Sequence, residues 1–435
     1  FLKATYGAEI RKVIKNDCYL ELIYDFDDYP VFEDATTYPI IFILNKINKN
    51  KNDFFYYSEI NNRVKTDNPI EILETKKIKV PYISLTEEMW NFISLDSFKI
   101  LEKLKTNSII LDKQVSKKIF YGIKTGKNEA FVIDEAKKEE LIIKNSKNAE
   151  LIKVLATGKE VKRNSFNFQN KYLLFTGYDN DIPSKYPDIQ EELDKFKQDL
   201  IKRYDQGLNY WNLRACAYYS EMQMPKIIYP RINNQGNFYF DAKGEVFLLD
   251  NNFFISSDSI GLLGLLNSKL VFYYLKNVCT TLQGGFYDFR RDKISTIPIH
   301  KNFNSYEAKI GKISQDLIQL VQDFESINSK FQRTLQREIF TPKLPEALPQ
   351  NNLSKKLQNW YELSFADFLK ELSKSKGSRP LGLSEKAEWE DYFLQEQQKA
   401  ISIKSKIEQT DAAIDQMVYE LYGLTEEEIE IVENS

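Results

Sequence analysis

The hydrophobic pattern of this sequence changes at Pro298, and that change restricts the possible folds more than any other feature. After it, apolar residues recur at spacings of three and four: Ile310, Ile313, Leu317, Leu320, Phe324, Ile327, Phe331 and Leu335. This spacing predicts a long amphipathic helix with a coiled-coil-like seam. Prolines within residues 341–349 predict its end. Further helices are predicted over residues 353–374 and 385–422.

Residues 301–435 are therefore predicted to form a helical domain, built as a bundle or a hairpin. The apolar stripe of its last helix consists of Trp389, Phe393, Ala400, Ile403, Ile407, Ile414, Val418 and Leu421. Two interpretations of these stripes remain open. They pack as core within the chain, or they form a coil that binds a partner protein.

Between residues 98 and 300, short aromatic and β-branched runs alternate with Gly, Asn and Asp. These runs predict strands, and they lie at residues 130–133, 172–175, 226–229, 238–240 and 253–255. Hairpin turns are expected at residues 233–236 and 241–244. Helices are predicted over residues 191–204 and 259–275. Residues 98–300 thus predict a mainly β domain with a few helices.

The first 50 residues predict a helix over residues 1–16 and strands over 19–26 and 38–44. The second strand is a nearly continuous apolar run, which is typical of a buried strand in an α/β sheet. We interpret residues 1–50 as the edge of a Rossmann-like sheet and residues 51–97 as a connection. The predicted fold class is mixed α+β.

Several chemistries are disfavoured by composition. The three cysteines are widely spaced, which fits a reducing cytosol and neither a disulfide framework nor a paired-cysteine metal site. The single histidine, His300, disfavours a histidine-based zinc cluster and a Ser-His-Asp triad. The longest apolar run, residues 260–275, is interrupted by polar residues and is shorter than the roughly 20 residues of a membrane span. We expect no membrane helix and a cytoplasmic protein.

The chain opens with Phe1, without a basic and then apolar signal sequence. We therefore expect a piece of a longer protein rather than an exported one.

Charge is distributed unevenly. The net charge is −3, from 60 Lys and Arg against 63 Asp and Glu. Residues 384–435 hold 14 acidic and 4 basic residues, a balance of −10, which leaves +7 for residues 1–383. Residues 99–171 hold 17 basic and 9 acidic residues, a surplus of +8. This surplus is adequate for binding a phosphate backbone. The alternative is a lysine-rich surface that is merely solvated.

Two glycine-containing turns are candidate phosphate contacts. The loop of residues 122–128 carries two glycines and two lysines, and its candidates are Lys124, Thr125, Lys127 and Asn128. It is not a nucleotide-binding phosphate loop, because three residues rather than four separate its glycines and no Ser or Thr follows the lysine. The second turn offers Lys159, Lys162 and Arg163. For either turn, an ordinary surface turn is the alternative.

Aromatic and cationic residues supply the other candidates. Trp211 is either a stacking platform for a base or a core residue, and Arg214 lies three residues later. Arg231 follows a predicted strand, where it either reads a guanine edge or pairs with an acid. The segment of residues 280–291 offers amide, stacking and cationic groups around two glycines: Gln283, Gly284, Gly285, Tyr287, Arg290 and Arg291. A glycine turn flanked by core aromatics is the alternative there.

Catalytic signatures are missing from the sequence. An amino-methyltransferase needs a glycine-rich turn for S-adenosylmethionine and an Asn/Asp-Pro-Pro-aromatic turn for the flipped base. The nearest string, Asp67-Asn68-Pro69-Ile70, lacks the second proline and the aromatic residue. Pro187-Asp188 has no convincing partner for a metal-dependent nuclease site. We predict no catalytic, cofactor-binding or metal-binding residue in this chain.

In segment order, the chain resembles the C-terminal part of type IIG restriction-modification enzymes and related adenine-specific DNA methyltransferases with a TaqI-like specificity domain. Residues 1–46 resemble the end of the catalytic domain, through Phe1 to Gly7, Tyr24-Asp25-Phe26, Val31-Phe32 and Ala35 to Pro39. Five strings resemble the target-recognition domain: residues 122–131, 158–163, 225–231, 265–270 and 283–287. Residues 410–424 are similar to the closing helix.

The resemblance implies that residues 98–300 read a target sequence in double-stranded DNA. It implies a full-length enzyme that transfers a methyl group from S-adenosylmethionine to adenine, with the cofactor bound upstream of residue 1. The catalytic or nuclease domain would belong to the same polypeptide. Two alternatives remain: a non-catalytic specificity subunit that docks separate catalytic chains, and a helical scaffold that binds a partner protein.

Overall fold

The computed structural model describes residues 2, 5–32, 38–46, 53–61, 64–85, 90, 92–177, 181–204, 206–340, 353–375 and 377–435. Its first region is a four-stranded sheet with two helices. In chain order these are α1 (Ala8–Asp17), β1 (Cys18–Asp25), β2 (Ile40–Lys46), β3 (Phe54–Glu59), α2 (Pro69–Thr75) and β4 (Ile78–Pro81). The predicted strings at Phe1, residues 3–4, 35–37 and 341–350 lie outside the described residues.

The first sheet has the strand order β2-β1-β3-β4. The β1 strand pairs antiparallel with β2 and parallel with β3, and β3 pairs antiparallel with β4. Leu20, Ile23, Phe55, Val80 and Trp90 form its core. Residues 51–97, predicted as a connection, therefore contribute two strands to the same sheet as β1.

The middle region contains the largest number of elements among the described residues. It begins with α3 (Leu95–Lys105), β5 (Ser108–Ile110), α4 (Leu111–Gln114), β6 (Ile119–Tyr121), α5 (Asn128–Phe131), β7 (Val132–Asp134), α6 (Glu135–Lys144), β8 (Ile152–Ala156), β9 (Val161–Lys162), β10 (Ser165–Phe166), β11 (Lys171–Leu174), α7 (Ile182–Lys185), α8 (Pro187–Asp194), α9 (Lys197–Ile201) and α10 (Tyr219–Met222). It continues with β12 (Lys226–Pro230), β13 (Ile232–Asn233), β14 (Tyr239–Asp241), β15 (Val246–Leu248), β16 (Asn252–Ser256), α11 (Ile260–Leu266), α12 (Lys269–Val278), β17 (Thr280–Leu282), β18 (Phe286–Asp288), α13 (Arg291–Ile294) and β19 (Pro298–His300).

A central sheet, β14-β12-β16-β6, is covered on both faces. Along β12, Ile227 and Tyr229 belong to the core that contains α11 and α12, whereas Ile228 belongs to the core of the second sheet, β15-β8-β11-β7. Along β16, Phe254 likewise faces the opposite core from its neighbours. Because alternate side chains point to opposite faces, a strand between two cores is apolar throughout.

The expected hairpins at residues 233–236 and 241–244 are not formed. The β13 strand pairs with β18, so residues 233–236 connect two different sheets. The β14 strand pairs with β12, and β15 pairs parallel with β8, so residues 241–244 also cross between sheets. Turn residues specify a reversal of the chain, but the partners of the flanking strands depend on the tertiary fold.

The boundaries of three predicted elements also differ. Residues 130–133 end one helical turn and begin β7, and the helix predicted over 191–204 is divided into α8 and α9. The helix predicted over 259–275 is divided at Asn267, whose buried amide donates to Phe238 O and to Asn164 Oδ1, both at 2.9 Å. Ser268 then caps α12. The Ser268 hydroxyl stabilises the break because it satisfies the backbone of both helices, donating to Leu265 O at 2.7 Å and accepting from the Val271 amide at 3.3 Å.

The last region is helical, as the periodicity predicted, but the helix predicted over residues 353–374 is divided into two short helices. It contains α14 (Phe303–Ile339), α15 (Lys355–Gln358), α16 (Phe365–Ser373), α17 (Leu383–Tyr422) and α18 (Glu426–Glu433). The α14 and α17 helices pack against each other, and Phe331, Trp360 and Phe393 lie in the core at one end. The predicted mixed fold class is confirmed. The apolar stripes pack within the chain.

The end of α17 returns to the middle region. Ile414 and Val418 join the core that contains α11 and α12, and the Tyr422 hydroxyl donates to Pro298 O at 2.6 Å. Asp415 is 2% exposed and accepts the Lys269 amide at 2.8 Å. We call Arg163, Lys269, Asp411, Asp415 and Glu433 the tail junction. Among the described residues, no helix is long and apolar enough to cross a bilayer.

Candidate nucleic-acid interface

A short loop, residues 249–252, brings together several segments that the sequence singled out. Gly122 donates to Asn252 O at 2.9 Å, and Leu249 donates to Ala156 O at 3.1 Å. Arg231 donates its backbone amide to Asn251 O at 2.9 Å. The first glycine loop, the second turn and the end of β12 therefore meet at one loop.

Gly122 is required for this close approach. A Cβ atom at this position would lie 2.0 Å from Leu249 O, which is backbone and cannot move away as a flexible side chain would. The adjacent Ile123 forms a parallel bridge with Leu249. Any larger residue at position 122 would separate the loop of residues 122–128 from residues 249–252.

A cleft of about 320 Å³ lies beside the loop of residues 122–128. Tyr121, Lys124, Arg214, Tyr218 and Tyr219 contribute to its lining, and residues 215–217 are small. Lys124 and Arg214 are exposed, and Tyr121 is 45% exposed. Lys124 forms no ion pair with any residue that the structure describes. The cleft thus combines cationic side chains with aromatic rings.

The tyrosines of the cleft are fixed by packing from below. Tyr218 stacks on Phe120 at 4.7 Å between ring centroids, and the Tyr121 ring packs on Phe253 at 4.9 Å. The Tyr219 hydroxyl donates to the carbonyl of Arg214. Burial raises the pKa of Tyr218 to about 12, so its phenol is neutral at pH 7.

Arg203 holds the two walls of the cleft together. Its guanidinium donates to Thr125 O at 2.6 Å on one side and to Asn212 O at 2.8 Å on the other. The same group lies 5.0 Å from the centre of the Phe131 ring. Asn212 is fully buried and donates to Thr176 O at 3.0 Å. Arg203 and Asn212 thus position Lys124 and Arg214 without lining the cleft.

Arg231 lies next to the cleft, on the edge of the small sheet β13-β18-β17. Asp288 accepts its Nε at 2.8 Å and its Nη2 at 2.9 Å, a bidentate pair that fixes the plane of the guanidinium. These hydrogen bonds raise the pKa of Arg231, and Asp250 and Tyr121 lie close enough to raise it further. The side chain remains 45% exposed.

The hairpin of β17 and β18 projects from the same small sheet. Its tip is Gln283, Gly284 and Gly285, all exposed, and the two glycines have φ angles of 81° and 78°. These left-handed conformations favour glycine. A Cβ atom at Gly285 would meet nothing within 4 Å. The tip is therefore a bare stretch of backbone that a ligand can approach closely.

The other candidates of this segment are already engaged by protein groups. Tyr287 is half-buried, edge-on to Phe272 at 6.0 Å. Arg291 lies 3.6 Å from Asp112, and Arg290 lies 3.5 Å from Asp292, with both partners of the second pair about 60% exposed. Arg290 is therefore the more accessible of the two arginines.

In the second turn, Lys159 and Lys162 are exposed and form no ion pair within the described part of the chain. Burial would raise the pKa of Glu160, but hydrogen bonds from Thr157 and Gly158 hold it below its usual value and fix the turn. A Cβ atom at Gly158 would lie 4.0 Å from Asn251 Cβ, so Lys159 adjoins the loop of residues 249–252, which we call the central loop.

Five candidates serve the fold instead. Arg163 donates to Asp411 at 2.6 Å in the tail junction. Lys127 pairs with Asp199 at 3.0 Å, which raises the pKa of Lys127. Trp211 is partly buried and packs against the core around the second sheet. Thr125 is buried and donates to Asn128 Oδ1 at 2.6 Å, so this pair shapes the loop of residues 122–128.

We call the surface formed by Tyr121, Lys124, Lys159, Arg214, Arg231 and residues 249–252 the cation face. Sequence reasoning identified its cations but not Tyr121, Arg203 or the central loop. Tyr121 ends a short strand, where an aromatic residue is ordinarily assigned to core. The only available signal for Gly122 was its place before two lysines.

The residues of the first sheet do not fit a glycine-rich S-adenosylmethionine site. Residues 8–121 contain no glycine. At the end of β1, Asp25 accepts a hydrogen bond from the Asp27 amide at 3.0 Å, so its carboxylate supports its own turn. Within the described residues, no group of three or more His, Cys, Asp or Glu side chains could hold a metal ion.

Residues 153–299 match the family model of the TaqI-like C-terminal specificity domain. Residues 304–418 match a domain of unknown function, DUF8810. The match to the specificity domain confirms the resemblance drawn from the sequence. A comparison with curated proteins gives no match.

Two solved structures are similar in part. One is the type IIL restriction-modification enzyme MmeI in complex with DNA, at 13% identity and a TM-score of 0.44, covering 92% of this chain and 48% of MmeI. The other is the type IIG restriction endonuclease BpuSI, at 13% identity and a TM-score of 0.36, covering 97% of this chain and 46% of BpuSI. The chain spans about half the length of either structure.

Proposed function

From the premise that residues 153–299 are a TaqI-like C-terminal specificity domain, we propose that this chain reads the DNA target sequence of a restriction-modification enzyme. The observation that carries the proposal is the cation face. There, the segments that carry Lys124, Lys159 and Arg231 are distant in the chain and converge on residues 249–252, through Gly122, Gly158 and the Arg231 amide. Such convergence gives a polyanion several cationic contacts at once.

In this proposal, different residues of the surface contact the phosphates and the bases. Lys124 and Lys159 contact phosphates, together with Lys162 of the same turn as Lys159, because flexible exposed ammonium groups attract charge without reading sequence. Arg231 contacts a base edge, because Asp288 holds its guanidinium in one plane. The tip at residues 283–285 approaches the duplex through bare backbone.

In this proposal, methyl transfer from S-adenosylmethionine to adenine is performed outside these 435 residues. A catalytic domain of the same polypeptide would supply it, and the mixed sheet of residues 18–81 supports that fused form over a separate specificity subunit. The chain alone should transfer no methyl group to DNA. Methylation of a duplex by the isolated chain would contradict this division of labour.

DNA binding is tested by fluorescence anisotropy of a duplex pool against the 435-residue chain at several salt concentrations. We expect binding that weakens with salt, because neutralised phosphates release counterions. The Lys124→Gln variant should reduce the slope of log affinity against log salt by about 0.9, the value for one lost phosphate contact. The matched control is Lys127→Gln, which removes a lysine of the same loop that Asp199 already neutralises.

The control should leave the slope unchanged. Salt-independent affinity, or equal losses in both variants, would overturn the proposal that the cation face binds DNA.

The sequence read by Arg231 is tested by selecting bound duplexes from a random library. Arg231→Ala should relax the preference at one position by roughly 1–3 kcal/mol, the range for a bidentate base contact.

A further inference from the structure

The cleft beside the central loop has features that backbone binding does not require. Its volume of about 320 Å³ lies at the lower end of the range for small-ligand pockets. Three tyrosines contribute to its lining, and small residues, Ala215 and Ala217, leave its floor open. A groove that only follows a duplex backbone needs cations and has no need of an aromatic recess.

The ring geometry suits a flat ligand. Tyr218 and Tyr121 are fixed by the stacked and tilted packing on Phe120 and Phe253, so little conformational freedom is lost when another ring stacks on them. The hydroxyl of Tyr219 is engaged by the Arg214 carbonyl. This contact also holds the segment that presents the Arg214 side chain.

The charge at the rim suits an anion. Lys124 and Arg214 are exposed, lie on opposite loops and are joined below by the Arg203 hydrogen bonds. A planar aromatic group with an attached anion is the chemistry that matches both halves of the cleft. A nucleotide is a ligand of this kind, because one sugar joins its aromatic base to its phosphate.

We propose that this cleft binds a single unpaired nucleotide, with its base against Tyr121 and Tyr218 and its phosphate between Lys124 and Arg214. The proposal rests on the proposed DNA-reading function when the nucleotide belongs to DNA, as an extrahelical residue beside the target site. The same chemistry is offered by a free nucleoside monophosphate. The two sources require separate experimental arms.

The first arm measures the affinity of the full chain for a duplex with one extrahelical 2-aminopurine and for the same duplex fully paired. We expect the bulged duplex to bind on the order of tenfold more tightly, from stacking of one base. The Tyr121→Leu variant keeps apolar packing on Phe253 and should lose this preference. Tyr121→Phe keeps the ring and should retain it.

The second arm titrates deoxyadenosine monophosphate alone. Saturable binding that Tyr121→Leu abolishes would support the nucleotide cleft with a free nucleotide as source. A preference for the bulge without such binding would support DNA as source. Tyr6→Leu is the control, because Tyr6 is 80% exposed and precedes the first sheet. Unfolding midpoints of all variants confirm that each one folds.

Equal affinity for bulged and paired duplexes, together with no saturable monophosphate binding, would overturn the proposal that the cleft binds a nucleotide. Failure of the cleft and failure of DNA reading are distinguishable. Salt-dependent binding of the paired duplex, with neither a bulge preference nor monophosphate binding, would contradict only the proposed nucleotide binding. Saturable monophosphate binding without duplex affinity would contradict only the proposed DNA-reading function.

Discussion

The cation face and the tail junction contain the same kinds of side chain and use them in opposite ways. On the cation face, Lys124 and Lys159 have no acidic partner among the described residues, and Arg231 is only partly covered. In the tail junction, Asp411 binds Arg163, and Glu433 binds Lys269. The acidic residues of the C-terminal segment 384–435 are therefore structural partners of the basic middle region, and Asp411 removes Arg163 from the proposed DNA-binding surface.

The largest expected effect is a loss in the free energy of unfolding when Gly122, which supports the cation face, is substituted. Gly122→Ala places a methyl group on the Leu249 carbonyl, and we expect a loss of about 3 kcal/mol in the free energy of unfolding. Urea denaturation measures it. The control is Gly285→Ala, which has open space and should lose only about 1 kcal/mol from its positive φ. Equal losses would show that the contact with Leu249 is not tight.

Arg203 tests whether the cleft walls are held as described. Arg203→Ala leaves the carbonyls of Thr125 and Asn212 without their donor, and we expect a loss of about 2 kcal/mol. Arg203→Lys should recover less than half of this, because one ammonium group cannot reproduce the fork. Denaturant unfolding of both variants, with Lys202→Ala as the exposed neighbouring control, distinguishes the fork from simple charge.

Asp415 tests the tail junction by its pH dependence. Burial raises the pKa of Asp415 from 3.8 to about 6, and one carboxylate oxygen has no hydrogen-bond partner within the described residues. Because the folded state favours the protonated form, the stability from this group is complete below pH 3.8 and is lost as pH rises through about 6. Wild type should therefore be penalised at neutral pH.

Asp415→Asn keeps an acceptor for the Lys269 amide and removes the charge. Relative to wild type, we expect the variant to gain about 2 kcal/mol of stability between pH 4 and pH 8. Chemical unfolding at both pH values measures the change, with exposed Glu420→Gln on the same helix as control. A stability difference between variant and wild type that stays constant across this pH range would show that Asp415 does not titrate there.

The smallest expected effect distinguishes Arg163 from the cations that are proposed to contact DNA. A double-mutant cycle of Arg163→Gln and Asp411→Asn should give a coupling of about 1 kcal/mol, since both side chains are roughly one quarter exposed. Arg163→Gln should leave the salt dependence of DNA binding unchanged. A slope reduced as much as that of Lys124→Gln would return Arg163 to the DNA surface.

Local patterns predicted the elements whose causes are local. The apolar stripe from Ile310 to Leu335 predicted α14, and the alternating faces of β12 and β16 follow from their apolar runs. The division at Asn267 was not predictable in this way. Its amide bonds to Phe238 and Asn164, which are far away in sequence, and only their arrival makes a helix break favourable.

The sequence by itself determined the helical tail and the excess of cations in residues 99–171, because periodicity and composition are properties of neighbouring residues. Residues 98–300, predicted as mainly β, instead form helices and strands together. Only the tertiary structure decided which cations face solvent. Arg163 meets Asp411 across 248 positions of the chain, and Lys103 meets Glu428 across 325. A cation can contact DNA when folded carboxylates leave its donors accessible, as they do for the partly exposed Arg231. That accessibility depends on contacts between segments that no local pattern specifies.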